Sequence, residues 1–286
     1  GDGIHVIPTD TVYMTIDKEA VRKSGMMMAA DSIPDRMTIS LKGKSALYKG
    51  DLMMLEMIAQ CNWTRPIYVA MTVGEDNYMN LGDNFVQEGL VNRITPFTTT
   101  VDGVPVDGAK NFDTERTYNC LMKKFKFGGL EQKGLYIDET VMRMCYTHRR
   151  IFMQLANNLI KENQPKRAAE VLAYADKHIP YYNVPVDFYG SLDEARAYAA
   201  IGNKGKAMNL LKQLWTKSEQ YLNWYCSLDG IRFASAQSDC LRHFYIMQQV
   251  NMLAAHIDAK WAETNMNKMG TLMDTYSNKG GRFPNQ

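Results

Sequence analysis

Arg150, Asn157, Tyr189 and Arg196 are the residues of this chain whose types and spacing could hold a ligand. Two guanidiniums supply charge-assisted hydrogen bonds to a carboxylate, an amide can read a peptide backbone, and a phenol offers a flat apolar surface. That is the chemistry of gripping a peptide terminus or an acidic segment. The four share a concave face, with Met153, Ile160, Leu192 and Ala199, only if the chain folds as the helical repeat argued below; neighbouring helices filling that groove is the competing expectation.

Other constellations are weaker. Cys145 with His148 and Cys240 with His243 have a spacing that puts each pair on one helix face, and together they could make a four-ligand zinc site. Cys145 and His148 also fall on the apolar stripe of their helix, where a packed thiol and a hydrogen-bonded core imidazole explain them equally well. Lys42-Gly43-Lys44-Ser45 looks like the end of a phosphate loop, but Thr38 stands where the loop needs its first glycine. No His-Glu-x-x-His, nucleophile elbow or dinucleotide glycine pattern is present. The sequence therefore names no catalytic residue, no metal site and no cofactor. Asp138-Glu139 and Asp193-Glu194 are read as helix starts, where carboxylates favour the dipole, and Asn62-Trp63-Thr64, a glycosylation sequon, as the turn before a strand.

Bulk properties narrow the class. The chain has 286 residues, 45% apolar and 22% charged, with 33 basic against 31 acidic side chains and a formal charge of +2. Mixed charge of this kind makes no case for nucleic acid or an anionic membrane surface, and no apolar run reaches the ~18 residues needed to span a bilayer. Five widely spaced cysteines imply no disulfide framework. Twenty methionines, among them Met26, Met27, Met28, Met53, Met54 and Met57, read as soft core filler. The start, Gly1-Asp2-Gly3, is neither a signal peptide nor an initiator Met, and suggests a piece excised from something longer.

The elements that must position the groove come from the second half. Leu155, Ala156, Leu159, Ala168, Leu172, Ala175 and Pro180 fall at the spacing of one tetratricopeptide unit, with Ala156 and Ala168 where two helix backbones come closest. Part of the set recurs as Ala195, Tyr198, Gly202, Ala207 and Leu211, slightly beyond the usual ~34-residue period; the excess fits a Pro-containing connection around Tyr182 to Val186. A helix from Asp138, apolar at 141, 144, 145, 151, 152, 155 and 159, leads into the repeat, and helices over about 237 to 260 and 262 to 276 would cap the array.

The first half alternates strand and helix. Val12, Met14 and Ile16 suggest an extended start; Asp17 caps a short helix that Gly25 ends. Met37 to Leu41 reads as a strand turning at Lys42-Gly43-Lys44 and returning at Ala46 to Tyr48, a hairpin. Asp51 is placed as the N-cap of a buried helix over Leu52 to Ala59, and Pro66 to Val73 as an interior strand. Val101 to Gly108, with two Asp-Gly turns, is the expected linker, and Asp113 caps a helix running to Lys124. The fold class expected is α+β: a small N-terminal α/β module over 1–110, then an all-α tetratricopeptide-like helical domain over 111–286.

Several motifs add a resemblance. Asn62-Trp63-x-Arg65-Pro66-Ile67-Tyr68-x-Ala70-x-Thr72-Val73-Gly74, then Gln87-Glu88-Gly89-Leu90-x-x-Arg93, then Phe125-Lys126-Phe127-Gly128-Gly129, and Asp138-Glu139 with Arg143 resemble the soluble C-terminal region of a bacterial multi-spanning membrane protein family similar to protein O-mannosyltransferases. The likeness runs over roughly residues 6 to 260, with Phe127 where members commonly have Trp. It implies an accessory domain on the extracytoplasmic, periplasmic face of the inner membrane, attached to its own N-terminal membrane region. The family's catalytic carboxylate is expected in that membrane region, so the resemblance implies no catalytic residue here. The partners implied are a protein or peptide, or a glycosylation acceptor, and no nucleic acid. The alternative is a free-standing tetratricopeptide adaptor that binds a protein partner.

Overall fold

The computed structural model describes residues 9–26, 32–101, 104–106 and 109–283. Met27 and Met28 lie outside them, as do the Asp-Gly steps at 102–103 and 107–108 and the last three residues. The architecture is α+β, small antiparallel sheets first and helices after. Two compact units divide it, Gly1–Lys124 and Phe125–Gln286.

In the first unit β1 (Thr11–Thr15) pairs antiparallel with β2 (Arg36–Ser40), Tyr13 opposite Thr38. Between them α1 (Lys18–Lys23) starts where the Asp17 carboxylate accepts from the amides of Glu19 and Ala20, and it closes at Gly25 in the left-handed region. β2 therefore finds its partner upstream, and the hairpin expected with Ala46 to Tyr48 does not form. The reason lies in α2 (Lys49–Cys61). Asp51 is not its N-cap but a first-turn residue whose carboxylate accepts from the Tyr48 amide at 2.9 Å, holding Tyr48 at the helix entrance. Nor is α2 buried: Ile58 packs into the core, whereas Leu52, Met53 and Met57 are each more than half exposed.

Pro66 to Val73 contains only a short strand, β3 (Tyr68–Ala70), at the edge of a sheet ordered β3, β5 (Val91–Ile94), β4 (Phe85–Glu88). Pro66 has no amide to give a ladder, and an edge tolerates that. The expected linker instead carries β6 (Thr100–Val101) and β7 (Val104–Pro105), paired with each other. Residues 111–113 stay with this unit through reciprocal backbone bonds to Gln87, and Asp113 then caps α3 (Thr114–Asn119), which widens into a π-helical turn at Cys120–Lys124. Met37, Ile39, Ile58, Trp63, Leu81 and Ile94 lie in the core.

The second unit is a succession of antiparallel neighbours: α4 (Glu139–Lys161), α5 (Pro165–His178), α6 (Phe188–Ala200), α7 (Lys204–Ser227), α8 (Gly230–Ala255) and α9 (Ala259–Asn278). Each packs on the next in this order, and α4 also packs on α6. Asp138 accepts from the amides of Thr140 and Val141 and starts α4; Pro165 opens α5 at the position where a missing N–H costs nothing. Leu155, Ala156, Leu159, Ala168 and Leu172 are fully buried, as are Ala195, Ala207 and Leu211. The helix expected from 237 begins earlier, at Gly230, with Ile231 exposed and Phe233 already buried. No helix of the described residues is long and apolar enough to cross a membrane.

Candidate ligand cavity in the helical unit

The N-terminal half of α4, the start of α6 and the facing sides of α7 and α8 line a cavity of about 480 Å³. α4 contributes Tyr146 and Arg150, the α6 entrance Asp187, Phe188 and Tyr189, α7 Lys217, Ser218, Tyr221 and Tyr225, and α8 Arg242 and His243. Their placement follows from helical spacing: Tyr146 and Arg150 are four apart, as are Tyr221 and Tyr225, so each pair sits one turn above the other on one face.

Of the four residues singled out from the sequence, the fold brings two here. Arg150 is exposed at the cavity wall and, among the described residues, makes no ion pair or hydrogen bond. Tyr189 is likewise on the wall and packs against Phe188. Asn157 is elsewhere, its amide donating to the Met153 and Asp193 carbonyls. Arg196 pairs with Asp193 at 2.8 Å on the surface of α6. Met153 and Leu192 are core residues, not groove residues. Arg150 and Tyr189 thus share the cavity wall, while Asn157 and Arg196 are held by other partners and do not line it.

The rest of the wall comes from α8 and from the part of α7 that follows Leu211, the last residue of the second repeat pattern. His243 stacks on Tyr221, ring centres 4.7 Å apart and 15° from parallel, with its Nδ1 3.2 Å from Ser218 Oγ. Burial pushes this imidazole down to about 4, so it is neutral at physiological pH. A serine beside a histidine suggests nucleophilic chemistry, but Ser218 is buried and so weak a base is poorly suited to activate it near neutrality. Burial lowers Lys217, whose ammonium donates to the Val186 carbonyl at 2.8 Å, while nearby Asp187 opposes the shift. Asp187 itself is engaged, accepting from the Gly190 amide and from Arg149. Arg242 pairs with Asp239 at 3.0 Å. Burial pushes the Tyr146 and Tyr225 phenols above their ordinary value. The cavity is thus aromatic, with Arg150 as its uncommitted cation.

Behind this wall stands a residue that periodicity hides. Arg149 is 2% exposed and donates to the carbonyls of Ile179, Val184 and Pro185, so it staples the α5–α6 connection onto α4. The connection in turn presents Asp187 and Tyr189 to the cavity. The zinc constellation does not assemble: His148 Nδ1 meets the Met144 carbonyl, His243 is committed to Tyr221 and Ser218, and no three potential ligands gather among the described residues.

In the first unit, the motifs that carry the family resemblance have structural work. Asn62 caps α2 in the left-handed region, followed by Trp63, also left-handed and buried in the core. Gly89, left-handed, turns β4 into β5, and buried Glu88 accepts from Arg93, Arg116 and the Tyr68 hydroxyl. Lys42-Gly43-Lys44-Ser45 is a surface turn whose Lys44 pairs with Asp51 at 3.1 Å.

Residues 1–116 match the family model described as TMEM260-associated domain 2. This covers the sheet-containing part and stops short of the helical array. No curated protein and no solved structure matches the chain.

Proposed function

We propose that this chain is an accessory domain of a membrane glycosyltransferase-like protein, that it lies on the extracytoplasmic side, and that its helical unit holds an acceptor polypeptide rather than performing transfer. The matched domain over residues 1–116 supports the first part. The burial of Leu155, Ala156, Ala168 and Leu172 supports a tetratricopeptide-like pairing of α4 with α5, an arrangement that binds partners on its concave side.

The observation that carries the binding role is the cavity itself. An unpaired guanidinium, Arg150, stands among Tyr146, Tyr189, Tyr221 and Tyr225 in a space of about 480 Å³. A carboxylate there receives a charge-assisted hydrogen bond, and the phenol rings accept the apolar part of a side chain. The ligand class is a peptide that ends in a carboxylate or bears an acidic side chain.

Calorimetric titration with a short peptide library, each peptide as free acid and as C-terminal amide, tests this. Free acids should bind more tightly than amides to the wild type, and Arg150→Ala should erase that difference while circular dichroism stays unchanged. Arg196→Ala, already paired with Asp193, should bind like wild type. Equal binding of acids and amides, or full binding by Arg150→Ala, would remove the cavity from this role. The chain alone should transfer no sugar from lipid-linked or nucleotide donors; turnover in that assay would show that the domain is more than accessory.

A further inference from the structure

A second surface of α7 has a composition that the acidic-segment reading does not use. Asn209, Gln213, Thr216, Gln220 and Trp224 line a shallow trough of about 700 Å³, with Pro185 and Val186 on its other bank. Their spacing of four, three, four and four residues aligns them on one helix face, a stripe of roughly 22 Å at ~1.5 Å rise per residue. Lys212 and Tyr221 also border the trough, while the stripe itself carries three amides, a hydroxyl and an indole that is 56% exposed.

The polar groups are arranged rather than scattered. Gln213 donates through Nε2 to Asn209 Oδ1, which fixes both amide planes. That leaves Asn209 Nδ2 as a donor and Gln213 Oε1 as an acceptor one helical turn apart. Thr216 and Gln220 add groups that can each donate and accept, and no hydrogen bond occupies them among the described residues. Lys217, at the rim, is committed to the Val186 carbonyl. No carboxylate lines the trough.

We infer that this trough is a binding site for a neutral oligosaccharide chain. Sugar hydroxyls are both donors and acceptors, which suits amides and a threonine better than fixed charges do. The apolar face of a pyranose ring needs a flat partner, and Trp224 supplies it at the end of the stripe. A peptide strand would instead ask for recesses that take alternate side chains, and the trough is open along its length.

The test is titration of the full chain with mannotriose, maltotriose, cellotriose and chitotriose, read by tryptophan fluorescence and saturation-transfer NMR. At least one should bind in the millimolar range, and Trp224→Ala should weaken it about tenfold or more. Trp224→Phe, which keeps a flat ring, should restore most of the affinity. Asn209→Ala should also weaken it, and Arg150→Ala should leave it unchanged, so that failure here and failure of the acidic-segment reading are read separately. Absence of binding by all four saccharides, binding indifferent to Trp224→Ala, or trough variants that weaken peptide binding instead would overturn the assignment.

Discussion

The guanidinium of Arg149 lies over the ring of Tyr181, 4.1 Å from its centroid, while its nitrogens donate to three carbonyls of the same connection. A planar, permanently charged fork suits this position: it satisfies several acceptors at once and stacks on the ring with its face.

Arg149→Met should therefore destabilise the helical unit by ~3 to 5 kcal/mol, the usual cost of removing one member of a buried charged network. Arg149→Lys should recover little of it, because an ammonium cannot reach the separated carbonyls of Ile179, Val184 and Pro185 in one plane. Chemical denaturation of the three proteins measures this; a lysine variant as stable as wild type would show that only the charge matters.

Tyr181 also donates to Glu194, which burial pushes up to about 8, with Asp176 adding to the rise and the Tyr181 hydrogen bond opposing it. The unfolded chain loses this proton near ~4.3. Between the two values the folded state binds more protons than the unfolded one, so the contribution is present at low pH and is lost as pH rises. Glu194→Gln, permanently neutral, should flatten the fall in melting temperature between pH 5 and pH 8. An unchanged slope would mean that Glu194 is ionised in the folded protein.

His243 acts in the opposite sense. Its folded value of about 4 lies below the ~6.5 of a free imidazole, so the unfolded state binds the extra proton in that window. Its neutral form contributes stability that is complete above the higher value and lost as pH falls toward the lower. His243→Phe, which preserves the stack on Tyr221, should lose less of its melting temperature than wild type as pH is lowered through this range. A variant that follows the wild-type acid limb would place the imidazole in solvent.

What was legible in the sequence was local. Asp17, Asp113 and Asp138 cap helices because a short carboxylate before an amphipathic run can only reach the amides just ahead of it. The alanine and leucine spacing of α4 and α5 marks their contact for the same reason. What escaped depends on distant partners. Arg149 scores as a surface residue until a connection some thirty positions downstream supplies its acceptors. Arg150 and Tyr189 could be placed on a wall, but Tyr221 and Tyr225 follow the last repeat residue, Leu211, along α7, and His243 sits on the next helix. Asp193 and Arg196, three apart on one helix, were a visible warning that Arg196 would be engaged. In the first unit, nothing in Leu52, Met53 and Met57 says which side of α2 the small sheet will cover.

Ala168→Leu tests the helix pairing directly. Ala168 is fully buried on α5, whose packing neighbour is α4, and Ala156 on α4 is buried as completely. Two such small residues let helix backbones approach closely, and three added heavy atoms find no volume there without pushing the helices apart or forcing a side chain off its rotamer. Overpacking of this kind costs ~1 to 3 kcal/mol. The loss should appear as a lowered denaturation midpoint, and because α4 also carries Tyr146 and Arg150, the variant should bind the acidic peptides proposed for the cavity more weakly even where it remains folded. Ala168→Gly, which leaves the approach open but adds backbone freedom, should cost only ~1 kcal/mol. If leucine is accepted with an unchanged midpoint, Ala168 is not at a close helix contact and the repeat register drawn from Leu155 to Pro180 is wrong.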